Sequence, residues 1–309
     1  MISDKIKPKL MEKDPFQDIL GQEKVKYGLK SALLMGRNVL IVGPAGIGKT
    51  TLAKNVAKLM PGGKFIRVQG SPDLTVEDLI GDIDPIKALK FGPTSKEVFT
   101  PGKIFKANGG VLFFDELNRC PEKIQNALLQ ALEERKVTIG SYDVDFDASF
   151  IFIGTMNPDD SSTEKLSDVL LDRFDVIYMG YPDSLEIESR IVRMKGKKTN
   201  VSMDDKLVNV IVLLVRLLRE NRDVEKKPGV RATLGLYERA QSNALLKGKK
   251  KVDFDDAKEA IISVLAHRIK LRPSIQYLKS PEEFVKEELE RFMRQNKKLI
   301  EELDKGGLL

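Results

Sequence analysis

Short apolar runs alternate with helical patterns along the first 180 residues of the chain. A strand buried on both faces shows a continuous apolar run of this kind rather than strict alternation. The runs cover residues 38–42, 111–114 and 150–154, and residues 64–68 are predicted as a further strand. Helical spacing follows them, as at Leu52, Val56 and Leu59. This alternation predicts an α/β domain built on parallel strands.

The pattern changes from Tyr181 onward, where helical periodicity continues without a convincing strand. The helical stretches cover residues 184–195, 204–221, 231–247 and 254–270. We therefore predict an α/β core over residues 1–180 and an all-helical second domain over residues 181–309. A charged helix over 281–303 would end it, as a solvated helix, a partner-binding helix or an oligomer contact. Residues 1–15 are polar and lysine-rich, which predicts a flexible lead-in.

Two segments of the core interrupt the alternation. Residues 81–110 are rich in glycine and proline and too long for a simple turn. Ordered insertions of this length are usually functional. Within this segment, the alternation from Phe91 to Ile104 predicts a small hairpin. A second hairpin is predicted over residues 137–147, because two alternating runs flank Gly140-Ser141.

Composition excludes several classes of protein. The 309 residues contain no run of about 18 apolar residues, so no membrane span is expected. The amino terminus lacks the apolar region of a signal peptide. The one cysteine, Cys120, cannot form an internal disulfide and suits a reducing cytoplasm. The one histidine, His267, makes a zinc site or a Ser-His-Asp site implausible.

The net charge of +6 gives little support for nucleic-acid binding. Lysine clusters at 195–198, 226–227 and 247–251 could contact an anionic partner, although solvated helix ends explain them as well. The sequence contains no zinc finger, helix-turn-helix or aromatic nucleic-acid platform. A nucleic-acid partner is therefore disfavoured, and a DNA-engaging motor remains an alternative.

One glycine-rich stretch satisfies the phosphate-loop pattern Gly-x-x-x-x-Gly-Lys-Ser/Thr. A buried strand precedes it and a helix follows it, which is the context that the motif requires. Its backbone N–H groups and helix N-terminus would bind the phosphates of ATP. Lys49 would contact the β and γ oxygens, and the Thr50 hydroxyl would ligate Mg²⁺. The predicted loop residues are Gly43, Pro44, Ala45, Gly46, Ile47, Gly48, Lys49, Thr50 and Thr51.

Polar side chains follow two further buried strands. Asp115 and Glu116 end the apolar run at 111–114, at the edge where open α/β sheets bind their ligands. Asp115 would hold Mg²⁺, directly or through water, and Glu116 would act as general base on the attacking water. Asn157 follows the run at 150–154 and would hold that water or the γ-phosphate, unless it is a plain turn residue before Pro158.

Two arginines lie where nucleotide chemistry could use them. Arg173, at a helix-to-strand corner, is either an ordinary salt-bridge residue or an arginine supplied in trans to the γ-phosphate. Arg231 opens a helix of the second domain, where it could face a nucleotide held between the domains. A further segment, Ile19 to Gln22, precedes the first strand; it is either an adenine contact or a helix cap with an apolar staple.

Taken together, these motifs resemble those of AAA+ ATPases, and within them the MoxR-type group, relatives of the magnesium-chelatase ATPase subunit. The resemblance covers about residues 14–272. Its most specific residues are Gly43–Thr50, Asp115–Arg119, Gln130–Thr138, Thr155–Pro158, Leu170–Phe174 and Val264–Ile269.

The resemblance implies a P-loop core with a five-stranded parallel sheet, followed by a helical lid. Residues 81–110 match the family's helix-2 insert, and residues 137–150 match its pre-sensor-1 hairpin. Ile19 and Gln22 would contact adenine. Asn157 corresponds to sensor 1, Arg173 to the arginine finger and Arg231 to sensor 2; the last follows Gly229-Val230, as in the chelatase pattern.

The implied activity is Mg²⁺-dependent ATP hydrolysis by a homo-oligomeric ring, usually hexameric. The leading hypothesis is a chaperone that remodels a protein client, paired with a von Willebrand factor A-type protein. The ATPase subunit of a metal chelatase is an alternative. Arg119 is interpreted either as an intersubunit contact or as a local ion pair.

Overall fold

The computed structural model describes residues 2–92, 95–134, 136–139, 142–147, 149–158 and 165–305. The chain divides into two compact units. The first comprises Met1–Pro44 and Gly48–Met179, and the second comprises Ala45–Ile47 and Gly180–Leu309.

The first unit contains nine strands and eight helices in its described part. The strands are β1 (Asn38–Val42), β2 (Phe65–Gln69), β3 (Gly81–Ile83), β4 (Phe99–Pro101), β5 (Val111–Asp115), β6 (Lys136–Ile139), β7 (Tyr142–Asp147), β8 (Ile151–Met156) and β9 (Phe174–Tyr178). The helices are α1 (Ile2–Leu10), α2 (Glu23–Leu34), α3 (Lys49–Leu59), α4 (Val76–Leu79), α5 (Pro85–Phe91), α6 (Lys103–Lys106), α7 (Glu122–Glu134) and α8 (Asp168–Leu171).

Five strands form one parallel sheet in the order β2-β5-β8-β1-β9, which confirms the predicted core. All five residues of β1 are buried, as are the four apolar residues that open β5. This burial explains why the central strands are continuous apolar runs. Since all the strands run in the same direction, the loops that follow β1, β5 and β8 emerge at one edge of the sheet.

The hairpin predicted within Phe91–Ile104 is wrong. Instead β4 pairs with β3, with Gly81 opposite Pro101, and α5 lies between the two strands. Asp84 starts α5 because its carboxylate accepts from the N–H groups of Ile86 and Lys87. Gly81 has φ 125°, and a Cβ there would lie 2.3 Å from the Thr100 carbonyl oxygen, so this pairing needs glycine.

The second predicted hairpin is present, with β6 and β7 paired antiparallel from Lys136 opposite Asp147. The turn predicted at residues 140–141 lies outside the described residues.

The flexible lead-in predicted for residues 1–15 is also wrong, because α1 forms there. Ile6 and Leu10 lie four residues apart on one helix face, and both are fully buried. Asp14 then connects the segment after α1 to α2. Its carboxylate accepts hydrogen bonds from the Phe16 N–H at 3.0 Å and from Lys26 Nζ at 2.9 Å. Two apolar positions among several lysines are too few to show helical periodicity in the sequence.

The described part of the second unit is helical apart from one short ladder and an isolated bridge between Ser202 and Lys251. Its elements are α9 (Leu185–Lys195), α10 (Asp205–Glu220), β10 (Val224–Lys226), α11 (Val230–Leu246), α12 (Phe254–Leu265), β11 (Lys270–Leu271), α13 (Pro273–Gln276), α14 (Pro281–Gln295) and α15 (Lys297–Lys305). The ladder pairs β10 with β11, which corrects the prediction of an entirely helical domain. Both strands are too short to show a periodic pattern.

Two predicted helices of this unit end differently from expectation. The helix predicted to reach residue 270 ends at Leu265 and continues as a 3₁₀ turn, Ala266–Arg268. The charged helix is divided at Asn296 into α14 and α15, and it packs through Phe284, Val285 and Phe292 into the core of the unit. No helix in the described part of the chain is long and apolar enough to cross a membrane.

The packing of α1 can be tested by shortening its buried side chain. We expect Leu10→Ala to lower the free energy of unfolding by about 2–5 kcal/mol, because a buried leucine is truncated and a cavity remains. Lys9→Ala, at the exposed neighbouring position, is the control and should change it by no more than about 0.5 kcal/mol. Urea unfolding followed by circular dichroism would measure both, and equal midpoints would show that α1 does not pack.

Candidate nucleotide site

The phosphate-loop residues lie between the end of β1 and the start of α3. Gly46 and Gly48 have φ of 77° and 107°, a region that favours glycine. Lys49 is the first residue of α3, and its Nζ donates to the carbonyl oxygens of Gly43 at 2.5 Å and Pro44 at 2.8 Å. The lysine therefore returns to its own loop, while Thr50 and Thr51 occupy the first turn of α3.

The end of β8 lies beside this loop. Val42 pairs with Met156, and the Gly43 N–H donates to the Met156 carbonyl at 3.1 Å. Asn157 therefore emerges between the phosphate loop and the end of β5, where the predicted water-holding residue should lie. The Asn118 side chain, which is buried, donates from Nδ2 to the Asn157 carbonyl at 3.3 Å and so ties these two segments together.

A single buried threonine links the Asp115 carboxylate to the backbone of Glu116. Thr155 Oγ1 donates to Asp115 Oδ1 at 2.6 Å and accepts from the Glu116 N–H at 3.1 Å. Thr155 is fully buried at the end of β8, so its hydroxyl orients both residues from the neighbouring strand. Arg67 donates to the other Asp115 oxygen, Oδ2, at 2.6 Å.

Glu116 has an unusual backbone and polar neighbours. Its φ of 56° and ψ of 51° lie in the left-handed region, which bulky residues adopt rarely. Its Oε2 accepts from Gln69 Nε2 at 2.9 Å and lies 3.3 Å from Arg119 Nε. A Cβ at Gly70 would lie 2.0 Å from the Glu116 carbonyl oxygen, so Gly70 permits this turn. Of the two interpretations of Arg119, the local ion pair is present.

Sequence reasoning missed Arg67, Gln69, Gly70 and the part played by Thr155. Arg67 and Gln69 lie on β2, whose register places Gln69 opposite Asp115. A signal was available, because a polar residue ends this strand at the same edge as the carboxylates. The register itself could not be deduced, since β2 and β5 lie more than forty positions apart.

Ile19 approaches the phosphate loop, and Gln22 does not act as a side-chain cap. A Cβ at Gly48 would lie 3.8 Å from Ile19 Cδ1 and 3.7 Å from Met179 Cε. Gln22 precedes α2 with φ 61°, and its side chain makes no capping hydrogen bond to the described first turn. The cap-and-staple interpretation is therefore unsupported, and Ile19 and Gln22 keep the predicted adenine role as an expectation.

Arg173 lies at the opposite edge of the sheet from the phosphate loop. Phe174 pairs with Asn38 at the amino end of β1, whereas Gly43 follows the carboxyl end of the same strand. Five residues of extended strand separate the two ends by about 15 Å. Arg173 NH2 donates to Glu133 Oε2 at 2.8 Å, and NH1 donates to the Val169 carbonyl at 3.0 Å. The hydrogen bond and the charge of Glu133 raise the pKa of Arg173.

Arg231 is the second residue of α11, in the second unit. The loop residue Gly46 belongs to this unit. It lies beside Arg231, since a Cβ at Gly46 would be 3.0 Å from Arg231 Cβ. Arg268 is also near: burial lowers its pKa, and the positive charge of Arg231 lowers it further. Two cations with such mutual repulsion favour an anionic ligand. Arg268 lies within the sequence motif Val264–Ile269, from which no role for it is predicted.

The donor set fits a magnesium ion held together with phosphates. The Thr50 hydroxyl and the Asp115 carboxylate are oxygen ligands, and Mg²⁺ typically takes one or two carboxylates plus substrate phosphates. Among the residues that the structure describes, no group of three or more His, Cys, Asp or Glu could hold a metal alone. An ion held by Asp115 would share that carboxylate with Arg67, which donates to its Oδ2.

The fold and the phosphate loop define a P-loop ATPase of the AAA+ class, and comparison with known proteins agrees. Residues 38–174 match the AAA domain of the dynein-related subfamily, and residues 226–288 match an AAA lid domain. The chain is similar to the RuvB Holliday junction branch migration motor of Thermotoga maritima at 21% identity and a TM-score of 0.52, over 80% of this chain and 70% of that one. This likeness shows the fold alone.

Relatives identify the family within this class. The chain is 30% identical to the chaperone MoxR1 of Mycobacterium tuberculosis, over 82% of its own length and 73% of the relative. It is 27% identical to a magnesium-chelatase subunit ChlI homologue of Methanocaldococcus jannaschii, over 92% and 93% of the two chains. The chain belongs to the MoxR family of AAA+ ATPases. It binds nucleotide and hydrolyses ATP.

The Thr155 bridge predicts a defect that the sequence did not anticipate. Thr155→Val keeps the shape but removes the hydroxyl that bonds both Asp115 Oδ1 and the Glu116 N–H. A hydrogen bond to a charged group contributes about 1.5–3 kcal/mol. We therefore expect kcat for ATP to fall about 10- to 100-fold. A steady-state phosphate-release assay would measure it.

The matched control is Ser263→Ala, which removes a hydroxyl that bonds the Ala260 carbonyl of its own helix, α12. Its kcat should stay within about twofold of wild type. A Thr155→Val enzyme with wild-type kcat would refute the bridge.

Proposed function

We propose that this protein uses Mg²⁺-dependent ATP hydrolysis, in a homo-oligomeric ring, to remodel or assemble partner proteins. The observation that carries the ring is the position of Arg173. Its side chain begins about 15 Å from the phosphate loop of its own chain, at the other edge of the sheet. In phosphoryl transfer an arginine supplied in trans neutralises charge on the γ-phosphate. Arg173 would therefore complete the site of a neighbouring subunit, and a hexamer is the proposed ring.

In this proposal each residue at the sheet edge that carries the phosphate loop has a distinct role. The phosphate loop and Lys49 bind the triphosphate, while Thr50 and Asp115 hold the Mg²⁺, which supplies charge neutralisation at the phosphates. Glu116 accepts a proton from the attacking water, and Asn157 orients that water or the γ-phosphate. Gln69 and Arg119 both contact the Glu116 carboxylate, so Glu116 must exchange these partners for water before it can act.

Arg231 would report the nucleotide to the helical unit. Its position beside Gly46 and the positive charge of Arg268 support a contact with the phosphates. Hydrolysis removes the γ-phosphate and would weaken that contact, and the helical unit would respond by changing its orientation. Neighbouring subunits would then transmit the movement.

The insert between β3 and β4 is the proposed client-contacting element. On α5, Ile86 and Leu89 are 79% and 91% exposed, and none of the helix is buried. Ile86 and Leu89 are neighbours on one helix face, and contiguous exposed apolar surface is typical of interaction sites. We propose a protein client, and a von Willebrand factor A-type protein as partner, in a reducing cytoplasm that suits the single buried Cys120.

A chelatase role is the second candidate, favoured by the likeness to a magnesium-chelatase subunit homologue and by Gly229-Val230 before Arg231. The two roles differ in what stimulates hydrolysis. A chaperone responds to unfolded or partly assembled protein, whereas a chelatase subunit responds to a metal-inserting partner. In either case a Glu116→Gln variant that still remodels its target at the wild-type rate would refute the hydrolysis-driven mechanism.

The ring predicts that specific ATPase activity rises steeply with protein concentration. We expect Arg173→Ala to bind ATP but to hydrolyse it about 1,000-fold more slowly, because the arginine in trans is lost. Activity per subunit, measured across a concentration series with mass analysis in ATP, would test both points.

Arg37→Ala is the control, since Arg37 pairs with Asp175 at 3.0 Å on the surface of the same edge strand. A surface pair contributes about 0–1 kcal/mol, so this variant should keep wild-type activity. A flat concentration series from a monomer whose activity survives Arg173→Ala would contradict the shared site.

A further inference from the structure

A buried carboxylate in the second unit has no part in the nucleotide chemistry described above. Glu188, on α9, is fully buried and accepts hydrogen bonds through both oxygens. Arg219, on α10, donates from NH1 and NH2 at 2.8 Å and 2.9 Å as a two-point pair. Thr233, on α11, donates its hydroxyl to Oε1 at 2.7 Å. Three helices therefore meet on one carboxylate.

Arg219 also reaches the segment that precedes α11. Its Nε donates to the Pro228 carbonyl at 2.9 Å. Its guanidinium lies 4.4 Å from the centre of the Tyr181 ring, and the Tyr181 hydroxyl donates to the Lys227 carbonyl at 3.4 Å. One planar side chain thus binds a carboxylate, a carbonyl and a ring, which leaves it little freedom to rotate.

Arg231 lies between the two points that this network holds. Pro228 is three residues before it, and Thr233 is two residues after it. The residue that precedes the helix is Gly229, which has no side chain to cap α11. A Cβ at Gly229 would lie 2.5 Å from the Ala45 carbonyl oxygen, so a capping side chain could not be accommodated there. The Glu188–Arg219 pair therefore fixes backbone that local capping cannot fix.

Stability alone does not explain a network of this kind. Buried ion pairs can often be replaced by apolar side chains of similar volume without loss, because desolvation offsets their attraction. What apolar packing cannot reproduce is direction, since a two-point pair has one allowed plane. The directional restraint falls on the one turn of α11 that carries Arg231.

We propose that Glu188, Arg219 and Thr233 are positioning residues that hold the first turn of α11 so that Arg231 faces the nucleotide. This inference rests on the proposed contact of Arg231 with the phosphates, and it adds that this contact speeds ATP hydrolysis. The three residues would affect the rate of hydrolysis only by orienting Arg231. Their effect should therefore disappear when the Arg231 guanidinium is absent.

The test compares Thr233→Val and Glu188→Gln in the wild-type and Arg231→Ala backgrounds of the full chain. Thr233→Val keeps the side-chain shape and removes only the hydroxyl, so it leaves the Glu188–Arg219 pair in place. Asp256→Asn is the matched control. Asp256 is also fully buried in the second unit, paired with Lys247 at 2.7 Å and Lys249 at 3.0 Å, at the other end of α11. The readouts are kcat, KM for ATP and the melting temperature.

We expect Thr233→Val to lower kcat about tenfold in the wild-type background, because small displacements of a catalytic group reduce rates steeply. Glu188→Gln should lower it at least as much. In the Arg231→Ala background neither substitution should lower kcat further. Asp256→Asn should lower the melting temperature and leave kcat within about twofold in both backgrounds.

Three outcomes would overturn the inference. The first is a lower melting temperature with unchanged kcat in both variants, which indicates a structural role only. The second is an equal loss of kcat in both backgrounds, which indicates a route that does not involve Arg231. The third is hydrolysis at the wild-type rate by Arg231→Ala, which would show that Arg231 does not contribute to the rate and needs no positioning. None of the three affects the concentration dependence of the wild type, so the proposed ring would stand or fall separately.

Discussion

The parallel register of β1, β8 and β5 is the constraint on which the nucleotide site depends. Val42 lies opposite Met156, and Phe114 lies opposite Gly154, so the three strands deliver their loops to one edge. The apolar strands fix this register by burial, and Thr155 at the end of β8 then bonds to both acidic residues. Polar groups that must lie within a few ångströms of one another are thus brought together from segments far apart in sequence. Among them, Glu116 has a strained backbone, in the left-handed region.

The same register separates Arg173 from the site that it would serve. Because β9 runs parallel to β1, the residue that precedes β9 must lie at the amino edge of the sheet, away from the phosphate loop. The ion pair with Glu133 holds the guanidinium there, at 2.8 Å. One sheet therefore carries the phosphate loop at one edge and Arg173 at the other. In a ring, the Arg173 edge of one subunit would face the phosphate-loop edge of its neighbour. The oligomer, on this account, is a consequence of strand direction rather than an addition to the fold.

Much of this architecture was predictable because its signals are local. The buried strands, the phosphate loop and the acid pair are contiguous in sequence, and the structure has them where the sequence predicts. The failures have physical causes. The amino-terminal helix buries only Ile6 and Leu10 among its described side chains, too few to show a period among lysines. The contacts of Gln69 with Glu116 and of Arg219 with Glu188 join residues 47 and 31 positions apart, so only the folded chain reveals them.

Mixing two inactive variants tests the shared site most directly. Lys49→Ala loses its own phosphate contact but keeps Arg173, while Arg173→Ala keeps an intact phosphate loop. If Arg173 acts on a neighbouring subunit, mixed rings contain sites with both residues, and ATP hydrolysis should return on mixing to about a quarter of the wild-type rate for random pairing, against the roughly 1,000-fold loss expected when the arginine is absent. If the mixture stays as inactive as its components although mixed rings form, Arg173 acts within its own chain or not at all, and the account of the two edges is wrong.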